Sequence, residues 1–339
     1  MTRSDLANSL YRSHVPARAL ERRGHEVEVF RQARGEPSVS LDHLSSFDVV
    51  HVYRLIVNED DSYLERLHAA GVRVCFDNDD DIGSVTQQMW DDMEAAGLAE
   101  QRVIGRVMEE GERSLALLPQ MDLVTTPSES IAERYRALGA PLVEVIPNYL
   151  PAGIGATQPA LRDGLIVGWH ACNEHVWDRR ALGIDAMLRD VLDAHSEVHV
   201  VTVGLELDLP AGRYTRVPHV VLPELFNHVA GFDIGLAPLA DIPFNRNRSD
   251  VKLREYACAG VPWLASPVGP YLAYGEDQGG WLVEDDEWFD AIGRLIRSSG
   301  DRSRARKRGR KWAKRQAMDQ MVDDWEDLLL ELVEMTSAA

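Results

Sequence analysis

Residues 232–271, FDIGLAPLADIPFNRNRSDVKLREYACAGVPWLASPVGPY, contain the pattern that decides the fold. The apolar run 233–237 predicts a buried strand, and a polar loop follows over residues 241–249. A helix is predicted next over residues 251–259, and residues 262–265 predict a second strand. A strand, a helix and another strand in succession are typical of a parallel sheet that is covered by helices.

The same alternation extends along the chain in both directions from this segment. We predict further strands over residues 26–30, 48–53, 72–76, 122–126, 143–146, 165–169, 198–203 and 281–283. Helices are predicted over residues 15–23, 62–70, 130–138, 180–192, 222–229 and 288–297, and a helical pattern continues from residue 301 to the end. The predicted class is therefore α/β, with mostly parallel, doubly wound sheets.

Residues 147–163 interrupt this alternation. They contain several prolines and glycines without periodicity, which is typical of a linker. A chain of 339 residues suits two α/β units. We predict an N-terminal unit over residues 1–150 and a C-terminal unit over residues 160–316. Ligands of doubly wound sheets bind beyond the carboxyl ends of the strands, so we expect a site in a cleft between the units.

The composition excludes several classes of function. Acidic residues outnumber basic ones, 55 to 36, and the net charge of −19 gives no electrostatic footprint for a nucleic acid. The same charge limits membrane contact to a peripheral one. Cys75, Cys172 and Cys258 lie far apart, so neither a metal site nor a disulfide framework is indicated. No signal peptide or membrane span is visible, and we predict a cytoplasmic protein.

Cationic side chains cluster around the start of the predicted helix 251–259. Arg246, Arg248 and Lys252 surround its N-terminus, where free N–H groups and the helix dipole favour an anion. Glu255 follows one turn later, and its carboxylate can accept hydrogen bonds from a pair of sugar or ribose hydroxyls. A capped surface helix with a solvated charged face is the alternative interpretation.

This segment resembles the donor-site segment of the glycosyltransferase family 4 group. There, a helix with a Lys and a Glu on one face is followed by small residues, a Gly and a Pro, as in Lys252, Glu255, Gly260 and Pro262. The resemblance implies that Lys252 contacts the donor phosphate and that Glu255 contacts the nucleotide ribose. The family has another Glu upstream, where Asn247 stands here and can bind a sugar hydroxyl.

Residues 165–178, LIVGWHACNEHVWD, resemble the first strand and loop of the donor unit in related bacterial transferases. The N-terminal residues 11–27 resemble the opening of the same enzymes. Together these resemblances imply the GT-B fold, in which two Rossmann-like units face a cleft and the last helix, here 317–339, returns to the N-terminal unit. The donor-binding residues they imply are Gly168, His170, His175, Arg246, Asn247, Arg248, Ser249, Lys252 and Glu255.

The acidic run 77–81 follows a predicted strand and should therefore face the cleft. Asp77-Asn78-Asp79 has the form of an Asp-x-Asp metal motif, and crowded carboxylates suit a hard divalent cation. Similar runs occur in related transferases that usually need no metal. We therefore predict an acceptor site at Arg12, Asp79 and Asp80, with no metal and no cofactor. A solvated loop that caps the next helix is the alternative.

Residues 302–315 contain nine basic side chains. A patch for nucleic acid or anionic lipid is one interpretation of this segment. Because the whole chain is strongly acidic, we favour a basic helix that packs on an acidic body. The basic residues are Arg302, Arg304, Arg306, Lys307, Arg308, Arg310, Lys311, Lys314 and Arg315.

The predicted function is transfer of a hexose-like sugar from a nucleotide-diphosphate donor to a small-molecule or glycan acceptor. The resemblance implies retention at the anomeric carbon, and the predicted catalytic residues are Asp79, Lys252 and Glu255. A non-catalytic nucleotide-sugar binding subunit and a nucleotide-sugar 2-epimerase on the same fold are the alternatives. An oxidoreductase is disfavoured, because no Gly-x-Gly-x-x-Gly motif follows a strand.

Overall fold

The computed structural model describes residues 9–30, 39–54, 62–98, 101–151, 164–220, 222 and 224–337. These residues form two separate parallel sheets flanked by helices. We call residues 9–151 the N-terminal half and residues 164–316 the C-terminal half. No helix in these ranges is both long and apolar enough to cross a bilayer.

The N-terminal half contains a four-stranded sheet in sequence order. Its strands are β1 (Val49–Tyr53), β2 (Arg73–Asp77), β3 (Leu123–Thr126) and β4 (Val143–Val145), and every neighbouring pair is parallel. A π-helical turn, Leu10–His14, precedes the first helix. The helices are α1 (Val15–Arg23), α2 (Leu41–Leu44), α3 (Tyr63–Ala69), α4 (Gln87–Ala95), α5 (Gln101–Ala116) and α6 (Glu129–Ala137).

The strand prediction over residues 26–30 is wrong. Alternating Glu and Val residues suggest a half-buried strand, but Val29 is 42% exposed and the segment is not assigned to a strand. Among the described residues, no neighbouring strand forms a ladder with it. Alternation favours a strand only where a partner supplies the hydrogen bonds.

The C-terminal half contains a six-stranded sheet in the order β10-β9-β8-β5-β6-β7. Its strands are β5 (Leu165–Ala171), β6 (Val198–Gly204), β7 (Tyr214–Val217), β8 (Ile234–Ala237), β9 (Trp263–Ala265) and β10 (Gly280–Leu282). The order reverses between β5 and β8, so this half has the doubly wound topology with a switch point at their carboxyl ends. The sequence did not indicate β7, a short edge strand whose central residues, Thr215 and Arg216, are both exposed.

Helices cover both faces of this second sheet. They are α7 (Val176–Ala181), α8 (Ile184–Ala194), α9 (Glu224–Val229), α10 (Pro243–Arg246), α11 (Val251–Ala259), α12 (Trp288–Arg297) and α13 (Ser299–Lys314). The single helix predicted over residues 180–192 is divided into α7 and α8 at Gly183, which has a positive φ of 58°. The basic segment lies in α13, whose Ala305, Gly309 and Trp312 are buried against the protein.

The last helix, α14 (Met318–Ser337), packs on the N-terminal half, as predicted. Its Met318, Val322 and Trp325 are buried against α1 and the residues that follow β4. Main-chain hydrogen bonds also join Leu150 to Gln316 and Met318. The halves also meet near the carboxyl ends of their sheets, where Trp177 Nε1 donates to the Met89 carbonyl oxygen at 2.8 Å.

Candidate functional site

A cavity of about 80 Å³ lies between the halves, beyond the carboxyl ends of β5 and β8. This is the switch point of the C-terminal sheet, where doubly wound folds bind their ligands. Its polar lining residues are Tyr11, Asp80, His170, Cys172, Glu174, His175, His219, Arg248, Ser249, Lys252, Glu255 and Tyr271. Ala171, Val203, Val220, Leu225 and Val251 provide the apolar part of the wall.

Helix α11 places Lys252 and Glu255 on the same wall. The two residues are three positions apart, so they lie on one face of the helix. The helix ends at Gly260, whose φ of 72° is the left-handed conformation that favours glycine. Leu253, Tyr256 and Ala257 are fully buried on its other faces and hold it against the sheet. The three-residue spacing on this helix therefore places one cation, Lys252, and one carboxylate, Glu255, in the wall of the cavity.

Lys252 is a buried cation at the first turn of α11. Its Nζ donates to the carbonyl oxygen of His170 and lies 3.3 Å from His170 Nδ1. Burial lowers the pKa of Lys252 to about 8, because desolvation disfavours the charged form. An anion bound beside this ammonium would relieve part of that penalty.

Glu255 joins the two halves across the cavity. Its Oε1 accepts a hydrogen bond of 2.8 Å from the hydroxyl of Tyr11, in the N-terminal half. Its Oε2 lies 3.2 Å from His170 Nε2. Burial raises the pKa of Glu255 to about 7. The carboxylate of Glu255 thus accepts a hydrogen bond from a hydroxyl of the protein. The resemblance implies the same kind of hydrogen bond from a ribose hydroxyl of the donor.

Arg248 provides the second cation of the wall. Its Nη2 donates to Glu174 Oε1 at 3.1 Å, and its Nε lies 3.8 Å from Asp80 Oδ1 in the N-terminal half. The guanidinium also lies over the Phe244 ring, 5.1 Å from the ring centroid. Burial and the Asp79 charge raise the pKa of Asp80 to about 6, although Arg54 and Arg248 act in the opposite direction.

A hydrogen-bonded network holds His175 at the end of the cavity nearest the loop after β8. His175 Nδ1 lies 2.6 Å from Asp178 Oδ2. Asp178 Oδ1 accepts hydrogen bonds from the main-chain N–H of Ala240 at 2.8 Å and from Asn245 Nδ2 at 2.7 Å. Both His175 and Asp178 are buried. The network therefore fixes the orientation of the imidazole ring.

Arginines and a tyrosine hold the acidic run 77–81. Asp79 accepts hydrogen bonds from the Tyr53 hydroxyl at 2.6 Å and from Arg54 at 3.0 Å, and Arg54 also contacts Asp80. Arg54 adopts a φ of 68°, which is uncommon for a residue other than glycine. Among the described residues, no group of three or more His, Cys, Asp or Glu is placed to hold a metal ion.

Arg12 is buried in the N-terminal half. Its guanidinium forms a buried ion pair with Asp77, with 2.6 Å between Nη2 and Oδ2, and also donates to Asn148. Its side chain has no exposed surface. Arg12 therefore uses its hydrogen-bonding capacity inside the N-terminal half, and it does not line the cavity between the halves.

Three predicted donor-binding residues lie outside the cavity wall. Gly168 is in the middle of β5, where a Cβ atom would lie 2.1 Å from the Phe232 ring, so close contact with that ring explains the glycine. Arg246 is exposed and forms a bidentate pair with Asp241. Asn247 Nδ2 donates to Asp81 Oδ2 at 3.1 Å, and this hydrogen bond connects the halves.

Six of the predicted donor-binding residues line the cavity: His170, His175, Arg248, Ser249, Lys252 and Glu255. The wall has further polar residues that the sequence did not single out as site residues: Tyr11, Cys172, Glu174, His219 and Tyr271. Glu174 directly precedes His175 in the loop after β5, which is the one local signal that could have indicated it. Tyr11 reaches Glu255 from 244 positions away, and no local pattern indicates such a contact.

A larger cavity of about 280 Å³ lies in the N-terminal half, between α1, β1 and α14. Its wall is mostly apolar, with Leu20, Phe47, Val50 and Leu329 among the residues that line it. Arg12 and several acidic residues also line it, but Lys252, Arg248, Glu255 and Asp80 do not. The smaller cavity between the halves is therefore the candidate functional site.

Solved structures similar to this protein exist, but the sequence comparisons found no match. No family model and no curated protein matches the sequence. Sucrose-phosphate synthase of Thermosynechococcus elongatus superposes with a TM-score of 0.63 at 13% identity, over 97% of this chain and 94% of that one. HepE of Anabaena in complex with UDP gives a TM-score of 0.58 at 16% identity, over 92% and 88%.

A trehalose-6-phosphate synthase, studied for glycosyl transfer with retention, gives a TM-score of 0.54 at 14% identity, over 86% and 76% of the two chains. These similar structures are glycosyltransferases of the GT-B fold. The two parallel sheets that face a cleft, with a last helix that returns to the first half, are that fold. The predicted fold class is confirmed.

Proposed function

We propose that this protein transfers a sugar from a nucleoside-diphosphate sugar to a hydroxyl or amine of a small-molecule or glycan acceptor. The observation that carries the proposal is the convergence of Lys252, Arg248 and Glu255 at the switch point between the halves. Similar structures with this fold hold UDP or UDP-glucose. We therefore take UDP and UDP-glucose as the first probes.

In this proposal, α11 binds the donor. Its N-terminus, Lys252 and Arg248 stabilise the diphosphate, and the same groups stabilise the charge that grows on it when the sugar leaves. Glu255 accepts hydrogen bonds from the ribose in place of the Tyr11 hydroxyl. A cavity of about 80 Å³ is small for such a ligand, so donor entry requires the halves to separate.

We assign the acceptor to the N-terminal side, at Asp79 and Asp80. Asp80 supports this assignment because it lines the cavity from the N-terminal half. Retention at the anomeric carbon is also part of the proposal and is supported by the trehalose-6-phosphate synthase named above. We further propose a cytoplasmic location, because Cys75, Cys172 and Cys258 are free thiols.

Titration calorimetry with UDP and UDP-glucose, followed by a transfer assay on an acceptor panel, tests the proposal. We expect UDP to bind and sugar to appear on an acceptor. Lys252→Ala removes one positive charge from the proposed site. Lys311→Ala removes one from an exposed lysine and is the matched control. Absence of binding to any nucleoside diphosphate would reject the donor site.

A non-catalytic nucleotide-sugar binding subunit is the second candidate. The specific observation in its favour is Asn247, an amide that is engaged with Asp81 where the resembling family has a carboxylate. Binding of UDP-glucose without hydrolysis, transfer or epimerisation, in the presence of the acceptor panel, would favour this candidate. Conversion of the donor to its 2-epimer would instead identify an epimerase.

The carboxylates on the acceptor side provide a further prediction. Asp79→Asn and Asp80→Asn should raise KM for the acceptor and change UDP affinity by less than about twofold, because neither group belongs to the phosphate-binding helix. Calorimetry with UDP and steady-state kinetics with varied acceptor separate the two effects. If both variants lose UDP affinity as strongly as a Lys252 variant does, the acceptor assignment is wrong.

We also predict that transfer persists in excess EDTA. Asp77 and Asp79 form ion pairs with Arg12 and Arg54, so arginines rather than a metal ion already neutralise these carboxylates. Lys252 and Arg248 provide positive charge for the diphosphate. Activity that disappears in EDTA and returns with magnesium or manganese would contradict the prediction.

A further inference from the structure

The network around His175 determines which of its ring nitrogens carries the proton. Asp178 Oδ1 receives two donors, from Ala240 and Asn245, and Asp178 Oδ2 faces His175 Nδ1 at 2.6 Å. A carboxylate can only accept hydrogen bonds, so Nδ1 must donate. In a neutral imidazole the other nitrogen, Nε2, then presents a lone pair.

The surroundings of the ring keep it neutral. Burial lowers the pKa of His175 well below its usual value. The nearby charges of Lys252 and Arg248 act in the same direction and outweigh that of Glu174, which acts to raise it. The ring lines the cavity. In the part of the chain that the structure describes, no hydrogen bond reaches Nε2. The protein thus holds a fixed, uncharged hydrogen-bond acceptor in a residue of the cavity wall.

A lone pair on Nε2 favours some chemical groups of a nucleotide sugar over others, because only a hydrogen-bond donor can bind to it. Phosphate oxygens are acceptors and would be repelled by Nε2, while Lys252 and Arg248 offer them donors in the same wall. A sugar hydroxyl, by contrast, can donate to Nε2. The complementary ligand group is therefore a hydroxyl that lies beside the diphosphate.

We propose that His175 Nε2 accepts a hydrogen bond from a hydroxyl of the transferred sugar, and that Asp178 is the positioning residue that fixes the required tautomer. This inference rests on the proposed function and extends it to recognition of the sugar. His175 then distinguishes a nucleotide sugar from the bare nucleoside diphosphate.

The same network makes Asp178→Asn a tautomer switch. In this variant the side-chain amide oxygen must still face the donors from Ala240 and Asn245, so the amide NH₂ group must face His175 Nδ1. Nδ1 then has to accept, and the proton moves to Nε2. The volume of the side chain is conserved, while Nε2 changes from an acceptor to a donor.

The test compares UDP and UDP-glucose by calorimetry at pH 8, with kinetics on the same variants. Asp178→Asn and His175→Phe should weaken UDP-glucose binding about 3- to 15-fold and leave UDP binding within about twofold. His175→Gln, which retains an acceptor near Nε2, should recover part of the loss. Asp185→Asn, an ion-paired carboxylate in α8 outside the cavity wall, is the matched control.

Equal losses for UDP and UDP-glucose would overturn the inference, because they would place His175 on the nucleotide or give it only a structural role. A rise in acceptor KM with unchanged UDP-glucose affinity would also overturn it, because the hydroxyl would then belong to the acceptor. If the wild-type protein binds neither ligand, the proposed function itself fails, and the inference fails with it.

Discussion

Lys252→Ala should lower the affinity for UDP about 10- to 150-fold and abolish sugar transfer, while the protein still folds. The loss corresponds to one charge-assisted hydrogen bond to a diphosphate, roughly 1.5–3 kcal/mol. Lys252 provides this bond from the first turn of α11, where the helix dipole also favours an anion. Calorimetry with UDP and the transfer assay measure the two effects.

Removal of Lys252 should not destabilise the unliganded protein. Burial lowers the pKa of this lysine to about 8, which means that the charged form is less stable relative to the neutral form in the folded protein than in water. The alanine variant no longer has this desolvation penalty, although it loses the contact with His170. We therefore expect a melting temperature at or above that of the wild type, measured without ligand.

The same lysine predicts how UDP binding depends on pH. Below pH 8 the ammonium of the free protein is charged, and above pH 8 it loses its proton. A bound diphosphate raises the pKa of Lys252, so binding requires proton uptake above pH 8 and UDP affinity should fall by up to about tenfold per pH unit there. Lys252→Ala should remove this dependence.

Glu255→Ala should also abolish transfer, through loss of the ribose contact. Lys311→Ala changes the same charge as Lys252→Ala on an exposed face of α13 and should behave as the wild type. If Lys252→Ala and Glu255→Ala both keep wild-type UDP affinity, α11 is not the donor site. Loss of affinity in the Lys311 control would indicate a nonspecific effect of charge.

The sequence predicted most of the fold because buried parallel strands are short apolar runs with turn signals at each end. The strands β5, β6 and β8 are of this kind, and they define the switch point. The edge strand β7 has two exposed polar residues, Thr215 and Arg216, at its centre, so it lacks that apolar signal. The break at Gly183 depends on how α7 and α8 pack, which a local helical pattern does not contain.

The sequence predicted the candidate site where its residues share one helix or loop. Lys252 and Glu255 lie three positions apart in α11, so their common face follows from helix geometry alone. The partners of Arg12 and Tyr11 come from distant segments, 65 and 244 positions away. Local spacing cannot show which of these side chains pair with each other, and therefore which remain available to a ligand.

The acidic run 77–81 is another case in which local sequence does not show which side chains pair with each other. Its position after a strand correctly indicated the cleft, and Asp80 does line the cavity. Its crowded carboxylates suggested a metal or an open acceptor site, but arginines pair with them: Arg12 with Asp77, Arg54 with Asp79 and Asp80, and Arg134 with Asp81. Burial of carboxylates requires such partners, and only the tertiary structure identifies them.

Arg12→Met should lower the free energy of unfolding by about 3–5 kcal/mol, because it leaves the buried carboxylate of Asp77 without its cation. Arg12 connects the turn Leu10–His14 to β2 and lies over the ring of Trp325 in α14, 5.3 Å from its centroid. Loss of the Arg12 side chain should therefore destabilise the packing of both the N-terminal sheet and the last helix. Urea unfolding followed by tryptophan fluorescence measures the change.

The pH dependence of this variant should be opposite to that of the wild type. In the wild type, burial acts to raise the pKa of Asp77, but Arg12 and His51 outweigh it and lower the pKa to about 2. Asp77 thus adds stability above its usual pKa, and that stability is lost as pH falls towards 2. Without Arg12, burial should raise the pKa above its unfolded value, so Arg12→Met should recover stability as pH falls from 7 to 5.

A double variant separates the charge of Arg12 from its other contacts. Arg12→Met with Asp77→Asn should be more stable than Arg12→Met alone at pH 7, because the double variant no longer buries an unpaired carboxylate. If the single and double variants are equally destabilised and neither responds to pH, Arg12 acts through its contacts with Trp325 and Asn148 rather than through its charge.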